Sequence, residues 1–403
     1  MRPTHSTLTR GHLYSLAREQ LLTYLPFGDF KRSAPASTVI AVLLAAAARL
    51  TSIADACRRL RDAPSDQTIR TALHAQLDDP VRLQRQLNAA LAGPLPRDVR
   101  RRPQSVALDL TLTPYHGRPW RDSKEIYRSK AKSGTSHFHA YATAYVVRHG
   151  ERFTLALLPV AQGTPMKQVV QDLLRLVRAA GVAVRRVLLD REFYNAAVIT
   201  YLKAARVPFL MPVAFRGRRS QRPAGPTSVR RFRSWKHSGW SEHRLTPQGA
   251  RRVRVDICVV CRNYRGQWRR RGRKTLVYAA WGVGRPDPLW VFQTYRKRFG
   301  IESSYRQLRQ AKARTTTRSP HLRLLLVGVA LLLRNLWVWL HWAVLSRPRR
   351  GRREIHLERL RFKVLLLWLL HGVEEQFGVD DRTSTERNVS PSLVAMSQAM
   401  AFS

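Results

Sequence analysis

Acidic residues are scarce in this chain. Asp and Glu number 26 against 72 Lys and Arg in 403 residues, a formal charge of +46 at pH 7. That balance disfavours acid-rich disorder and makes a polyanion the default partner. Lysine is scarce too, at 11 against 61 Arg. GC-rich coding raises Arg but does not remove acids, and Arg suits bidentate phosphate contacts. The three Cys cannot build a disulfide framework. Cys258 and Cys261 have CxxC spacing, but no second Cys or His pair follows, and on a strand they would face opposite sides. A zinc site is not expected. The first 30 residues lack the apolar core of a signal peptide, so the chain reads as cytoplasmic and nucleoid-associated. No GxxxxGK[ST] loop is present, so ATP use is not indicated. Long uncharged runs are also missing. Residues 322–345 are very apolar, but Arg323, Arg334, Asn335 and His341 interrupt them. The uncharged stretch 324–333 is well short of the roughly 20 residues a span needs, so a buried core helix is expected, and 363–370 reads the same way. A hydrophobic content of 44% excludes a wholly disordered basic tail.

Four regions are expected. Residues 1–100 read as helical, with short helices at 52–60 and 66–77 across the turn Arg61–Ser65. Ser65 is placed to cap the second. The pair resembles a helix-turn-helix with Gln67, Thr68, Arg70 and Thr71 facing DNA, and an ordinary αα-hairpin remains the alternative. Residues 94–103 form a linker. Alternating β-rich segments follow at 105–113, 136–148 and 151–160, then a helix at 166–180, a short apolar strand at 186–190, a helix at 195–205 and a strand at 207–213. This β-β-β-α-β-α-β order is the plan of a ribonuclease H-like domain, over 101–215 and 289–345. Residues 216–288 break it. Positions 216–274 carry 19 Lys or Arg and only two acids, Glu242 and Asp256, with pieces that read as a small β-rich insertion. One helix is expected over 289–312, and 346–403 reads as a basic, helical C-terminal tail. The fold class is thus α/β, a mixed sheet with a β-rich insertion between helical ends.

With so few acids, those in apolar strands stand out. Asp109 lies mid-strand in Val106–Leu110, and Asp190 ends the run Val187–Leu189. A buried carboxylate is costly unless paired, capping or bound to metal. Two converging from different strands would form an oxygen-ligand site suited to Mg²⁺ or Mn²⁺. Two such ions can activate a water or 3′-OH and stabilise the leaving oxygen of a phosphodiester. For Asp190, an N-cap role is the alternative. Tyr295, Arg298, Glu302 and Arg309 fall at i, i+3, i+7 and i+14, one face of one helix, and Glu302 is the only acid between Asp287 and Glu354. An Arg298–Glu302 surface ion pair is the simpler alternative.

These residues resemble the DDE transposases of the IS4-like superfamily, including its ISH3-like branch. Leu189-Asp190-Arg191-Glu192-Phe193 is similar to that family's second-acid block. Leu108-Asp109-Leu110-Thr111, with Pro114-Tyr115 and Gly117, is similar to the first. Tyr295, Arg298 and Glu302 match a Y-(2)-R-(3)-E-(6)-K signature in spacing, with Arg309 in place of the final Lys and Lys312 one turn on. The resemblance covers roughly residues 105–340. It implies that Asp109, Asp190 and Glu302 are catalytic and hold two Mg²⁺ or Mn²⁺ ions. It implies that Tyr295, Arg298 and Arg309, or Lys312 in its stead, contact DNA phosphates. It further implies a ribonuclease H-like core, with cleavage through a DNA hairpin in some members and an aromatic stacking on a flipped base. Trp235, Trp240, Trp268 and Trp281 are the candidates for that stacking, and packing within the insertion is the alternative for each.

Other signals are weaker. Glu192 is expected to pair with a nearby Arg, and His137 and His139 to be packed or surface residues. Lys124, Arg128, Lys130 and Lys132 form a basic loop that touches DNA or is merely solvated. The basic run 347–353 is a DNA arm or a linker. The expected function is that of an insertion-sequence transposase that cleaves at terminal inverted repeats and joins the freed 3′-OH to target DNA. It would act as a homodimer on double-stranded DNA, away from membranes. A catalytically dead DNA-binding relative and a nuclease without strand transfer are the alternatives.

Overall fold

The computed structural model describes residues 7–25, 27–30, 34–148, 150–215, 228–245, 252–265, 271–349 and 352–380, without the side chains of 264, 265, 271, 301–303 and 352. The N-terminal unit is helical: α1 (Arg10–Tyr24), α2 (Ala36–Arg49), α3 (Ile53–Arg59), α4 (Asp66–Gln76), α5 (Pro80–Ala92) and the short α6 (Arg97–Arg101). Each of α3, α4 and α5 starts on a side-chain cap, from Ser52, Ser65 and Asp79. Helix α2 is apolar nearly all round and buried from Thr38 to Ala47.

The sheet then begins with β1 (Gln104–Pro114), β2 (Tyr127–Lys132), β3 (Thr135–Val146) and β4 (Thr154–Val160). After α7 (Met166–Ala179) come β5 (Val184–Leu189), α8 (Ala196–Ala204) and β6 (Phe209–Pro212). Strand β3 pairs antiparallel with β1 on one edge and with β2 and β4 on the other. Strands β1, β5 and β6 run parallel. The core order β4-β3-β1-β5-β6 is that of a ribonuclease H-like sheet. The expected basic loop is corrected here: residues 127–132 are strand β2. Its two-residue turn to β3 places Ser133 (φ 54°) and Gly134 (φ 76°) in the left-handed region that matches strand twist. The alternation of a strand then puts Arg128, Lys130 and Lys132 on one exposed face.

The insertion contributes β7 (Gly239–Leu245), β8 (Val253–Arg265) and β9 (Arg271–Trp281). It is not a separate β unit. Strand β9 pairs antiparallel with β6, so the insertion extends the same sheet to nine strands. The single helix expected over 289–312 is also corrected. It divides into α9 (Pro288–Arg296), a 3-10 turn (Lys297–Phe299) and α10 (Gly300–Ala311). At Gly300 a Cβ would lie 2.6 Å from the Arg152 guanidinium carbon, so a larger residue there would have to shift that side chain.

Helix α11 (Pro320–Leu340) is long and apolar enough to cross a membrane, but it is buried in the protein from Leu322 to Val338. Its polar side chains are used internally. Asn335 pairs its amide with both backbone groups of Thr154, accepting at 2.8 Å and donating at 2.8 Å. Asn88 on α5 does the same to Leu157, at 2.8 and 2.9 Å. These two amides complete the outer edge of β4, which has no strand beyond it among the described residues, and so dock the helices onto the sheet. After the short strands β10 (Arg347–Arg349) and β11 (Arg352–Glu354), helix α12 (Phe362–Phe377) returns to the N-terminal unit. Gly372 packs on Tyr14, and Glu374 and Glu375 pair with Arg49 and Arg10. The basic tail is thus partly a structural member of the first helical unit.

Candidate active site

Strand pairing brings the two aspartates together. The parallel β1–β5 ladder ends at Leu108 opposite Leu189, so Asp109 and Asp190 stand one residue beyond it. Asp190 precedes a 3-10 turn but makes no side-chain cap, which leaves its carboxylate to the cleft. Both line a cleft of about 450 Å³ with Glu192, Thr111, Thr113, Lys132, Tyr305, Arg309 and Lys312. The lining thus combines three acids with three cations. Asp109 is the more buried. Loss of water, reinforced by Asp190 and opposed by Arg298, raises its carboxyl to about 6.

Arg298 sits under the pair. Its guanidinium donates to Asp109 Oδ1 at 2.9 Å and lies 3.7 Å from Asp190 Oδ1, with only 7% of the side chain exposed. Its backbone carbonyl accepts from the Tyr145 hydroxyl at 2.6 Å. Tyr295 is also buried; its hydroxyl donates to the Leu189 carbonyl at 3.1 Å and its ring packs on Tyr278. Tyr295 lies near the end of α9 and Arg298 in the 3-10 turn that follows, and in the structure without DNA both side chains pack under the sheet.

Glu302 lies on α10, and its side chain falls outside the described residues. Arg309 is exposed at the cleft mouth, its Nε donating to the Tyr305 carbonyl at 3.4 Å. Lys312 lies deeper, its Nζ 3.4 Å from Thr113 Oγ1. Burial, with Arg323 and Arg309 nearby, lowers its ammonium to about 8. His139 is buried and pushed down to about 4 by burial and by Arg323 and Lys312, so it is neutral at pH 7. Glu192 has no ion pair among the described residues; it faces the cleft, and burial and Asp190 raise its carboxyl. The expected Arg partner is absent among them.

Arg70 projects from α4, outside this cleft, and is paired with Asp66. Of the tryptophans, Trp268 falls outside the described residues. Trp235 packs on Phe232, the Trp240 indole donates to the Pro286 carbonyl at 2.7 Å, and Trp281 packs against the main core. Each of the three is half-buried. Two residues escaped the sequence reading. Tyr305 bonds Thr143, the β3 partner of Asp109, at 2.8 Å, and its position three after Glu302 is the signal that was available. Phe299 exposes about half its surface beside Arg298, at 49%.

Asp109 and Asp190 supply hard oxygen donors of the kind Mg²⁺ and Mn²⁺ prefer, so the donor set fits a divalent cation. Among the described residues, no three His, Cys, Asp or Glu side chains complete such a site. A family model described as a transposase DDE domain matches residues 100–336, more than half of the 403-residue chain. The chain belongs to the DDE transposase family. The matched span runs from just before β1 into α11, so it holds both aspartates and α10 but leaves out α1–α5 and α12. Among solved structures, this transposase is similar to the piggyBac transposase in its synaptic complex with hairpin DNA. The TM-score is 0.53 at 9% identity, over 98% of this chain and 90% of that one, a likeness of fold. No curated protein sequence matches it.

Proposed function

We propose that this protein is an insertion-sequence transposase of the IS4-like superfamily. In this reading it cleaves DNA at terminal inverted repeats and joins the freed 3′-OH to target DNA. The observation that carries the reading is the placement of Asp109 and Asp190 side by side past the β1–β5 ladder, in a cleft they share with Lys132, Arg309 and Lys312, in a chain of the DDE family. Asp109, Asp190 and Glu302 would hold two Mg²⁺ or Mn²⁺ ions, which when bound supply charge stabilisation at the scissile phosphate. The chain's own residues do the rest. Lys312 and Arg309 bind the phosphate backbone in the same cleft. Tyr305, fixed to Thr143, and Tyr295, fixed to Leu189, brace the floor that orients the acids. Hydrolysis breaks the bond from phosphorus to the 3′ oxygen and frees the 3′-OH. Joining forms a new bond from that oxygen to a target phosphate and releases the target's own 3′ oxygen, so one site serves both in-line transfers. Arg70 and its neighbours on α4 would contact the terminal repeats. Two copies would act together, because both ends must be held at once, in the cytoplasm on the nucleoid.

The test uses DNA flanking the gene, with Mg²⁺, and compares the wild type with Glu302→Gln and Asp109→Asn. The wild type is expected to nick at the repeat ends, and both variants to bind without cutting. Equal cutting by a variant removes that residue from the site. Binding without cutting by all three makes the protein a dead relative. Pre-cleaved ends then separate a transposase, which joins them, from a nuclease, which does not.

A further inference from the structure

We infer that Arg298 is the resident counter-ion of the acid pair in the DNA-free protein, and that a divalent cation can enter only when its guanidinium leaves. The inference rests on the reading of Asp109 and Asp190 as metal ligands. Arg298 contacts both carboxylates, at 2.9 and 3.7 Å, and neither has another ion pair among the described residues. It thus sits where a cation shared by the pair would belong. The side chain is positioned from behind. Its backbone carbonyl is held by Tyr145, and its guanidinium lies 5.8 Å from the Tyr295 ring centre. Yet its Nε–H is buried with no acceptor among the described residues. A guanidinium has five donors in a rigid fork, and one left orphaned in the interior is a cost that a better partner would remove.

Two cations cannot share this gap at hydrogen-bond range, because like charges repel strongly where water is excluded. Metal binding therefore competes with Arg298. A freed guanidinium has a matching partner in a DNA phosphate, whose oxygens accept its fork in two parallel bonds. Arg298 is then a positioning residue that links the two ligands: metal alone must displace it, whereas DNA offers it an alternative. By linkage, DNA and metal bind with positive coupling. The free protein is kept from charging its site away from DNA.

The experiment measures Mn²⁺ binding to the full chain by electron paramagnetic resonance, with and without a short mixed-sequence duplex. Arg298→Gln is expected to bind Mn²⁺ on the order of tenfold tighter than the wild type without DNA, the factor carried by one lost charge-assisted hydrogen bond. The duplex is expected to tighten Mn²⁺ binding by the wild type and not by the variant. Arg298→Lys keeps the charge but reaches only one carboxylate, so it is expected to lie between the two. It decides the matter if the Gln variant fails to fold. Equal or weaker Mn²⁺ binding by a folded Arg298 variant, or no effect of the duplex on the wild type, overturns the proposal. If Asp109→Asn leaves Mn²⁺ binding unchanged, the metal-site reading itself falls, a result distinct from either.

Discussion

Replacing Asn335 by Leu tests the docking of the apolar helix α11 on the catalytic sheet. Asn335 is fully buried, and its amide satisfies the N–H and the carbonyl of Thr154, itself 2% exposed. Leu has nearly the same volume but no polar atoms. The substitution therefore leaves two backbone groups without partners in a dry interior. Each orphaned group costs about 1–3 kcal/mol, and the greater apolarity of Leu returns about 1 kcal/mol. The expected loss is about 1–5 kcal/mol. At an m value of about 3 kcal/mol per molar urea, the midpoint falls by roughly 0.3–1.7 M. Urea unfolding followed by tryptophan fluorescence reads this directly, since Trp337 lies on the same helix. A midpoint within about 0.2 M of the wild type would refute the argument, because it would mean that water or a rearranged strand satisfies β4 without the amide.

Three further outcomes are expected. Lys312, lowered to about 8, is charged below that pH and neutral above it, so DNA affinity should fall as pH rises through 8 and Lys312→Ala should flatten that limb in a binding titration. Because the unfolded lysine holds its proton to a higher pH, this group makes stability rise with pH above about 8, which unfolding curves at several pH values would show. Gly328→Ala would place a methyl 2.4–3.1 Å from Leu87 where α11 crosses α5, and this overpacking should cost about 1–3 kcal/mol despite the better helix propensity of Ala, as read by thermal unfolding.

Much of the core was legible because its signals are local. The alternation around Asp109 marks a half-buried strand, and the short apolar run before Asp190 marks a fully buried one. The acids stood out because so few others exist. What escaped depends on contacts distant in sequence. Residues 127–132 read as a loop because their polar face hides a strand defined only by β3. The insertion joins the main sheet through pairs such as Leu210 with Ala280, which no window spans. The spacing of Tyr295, Arg298 and Arg309 assumed one regular helix, and a three-residue 3-10 turn divides it between Tyr295 and Arg309. Asn88 and Asn335 look like interruptions in apolar helices. Only the unpaired edge of β4 gives them a reason.

The return of α12 to the N-terminal helices has a consequence for how the chain is made. Residues 362–377 complete a core that starts at Leu13. On the ribosome, α1 and α2 emerge first but must wait for almost the whole chain before their last packing surface arrives. The packing of α1 and α2 is therefore complete only once α12 is in place. A product cut short ahead of α12 could assemble β1 to β9 and α11, but it would leave the surface around Tyr14 open to water and to other copies of itself.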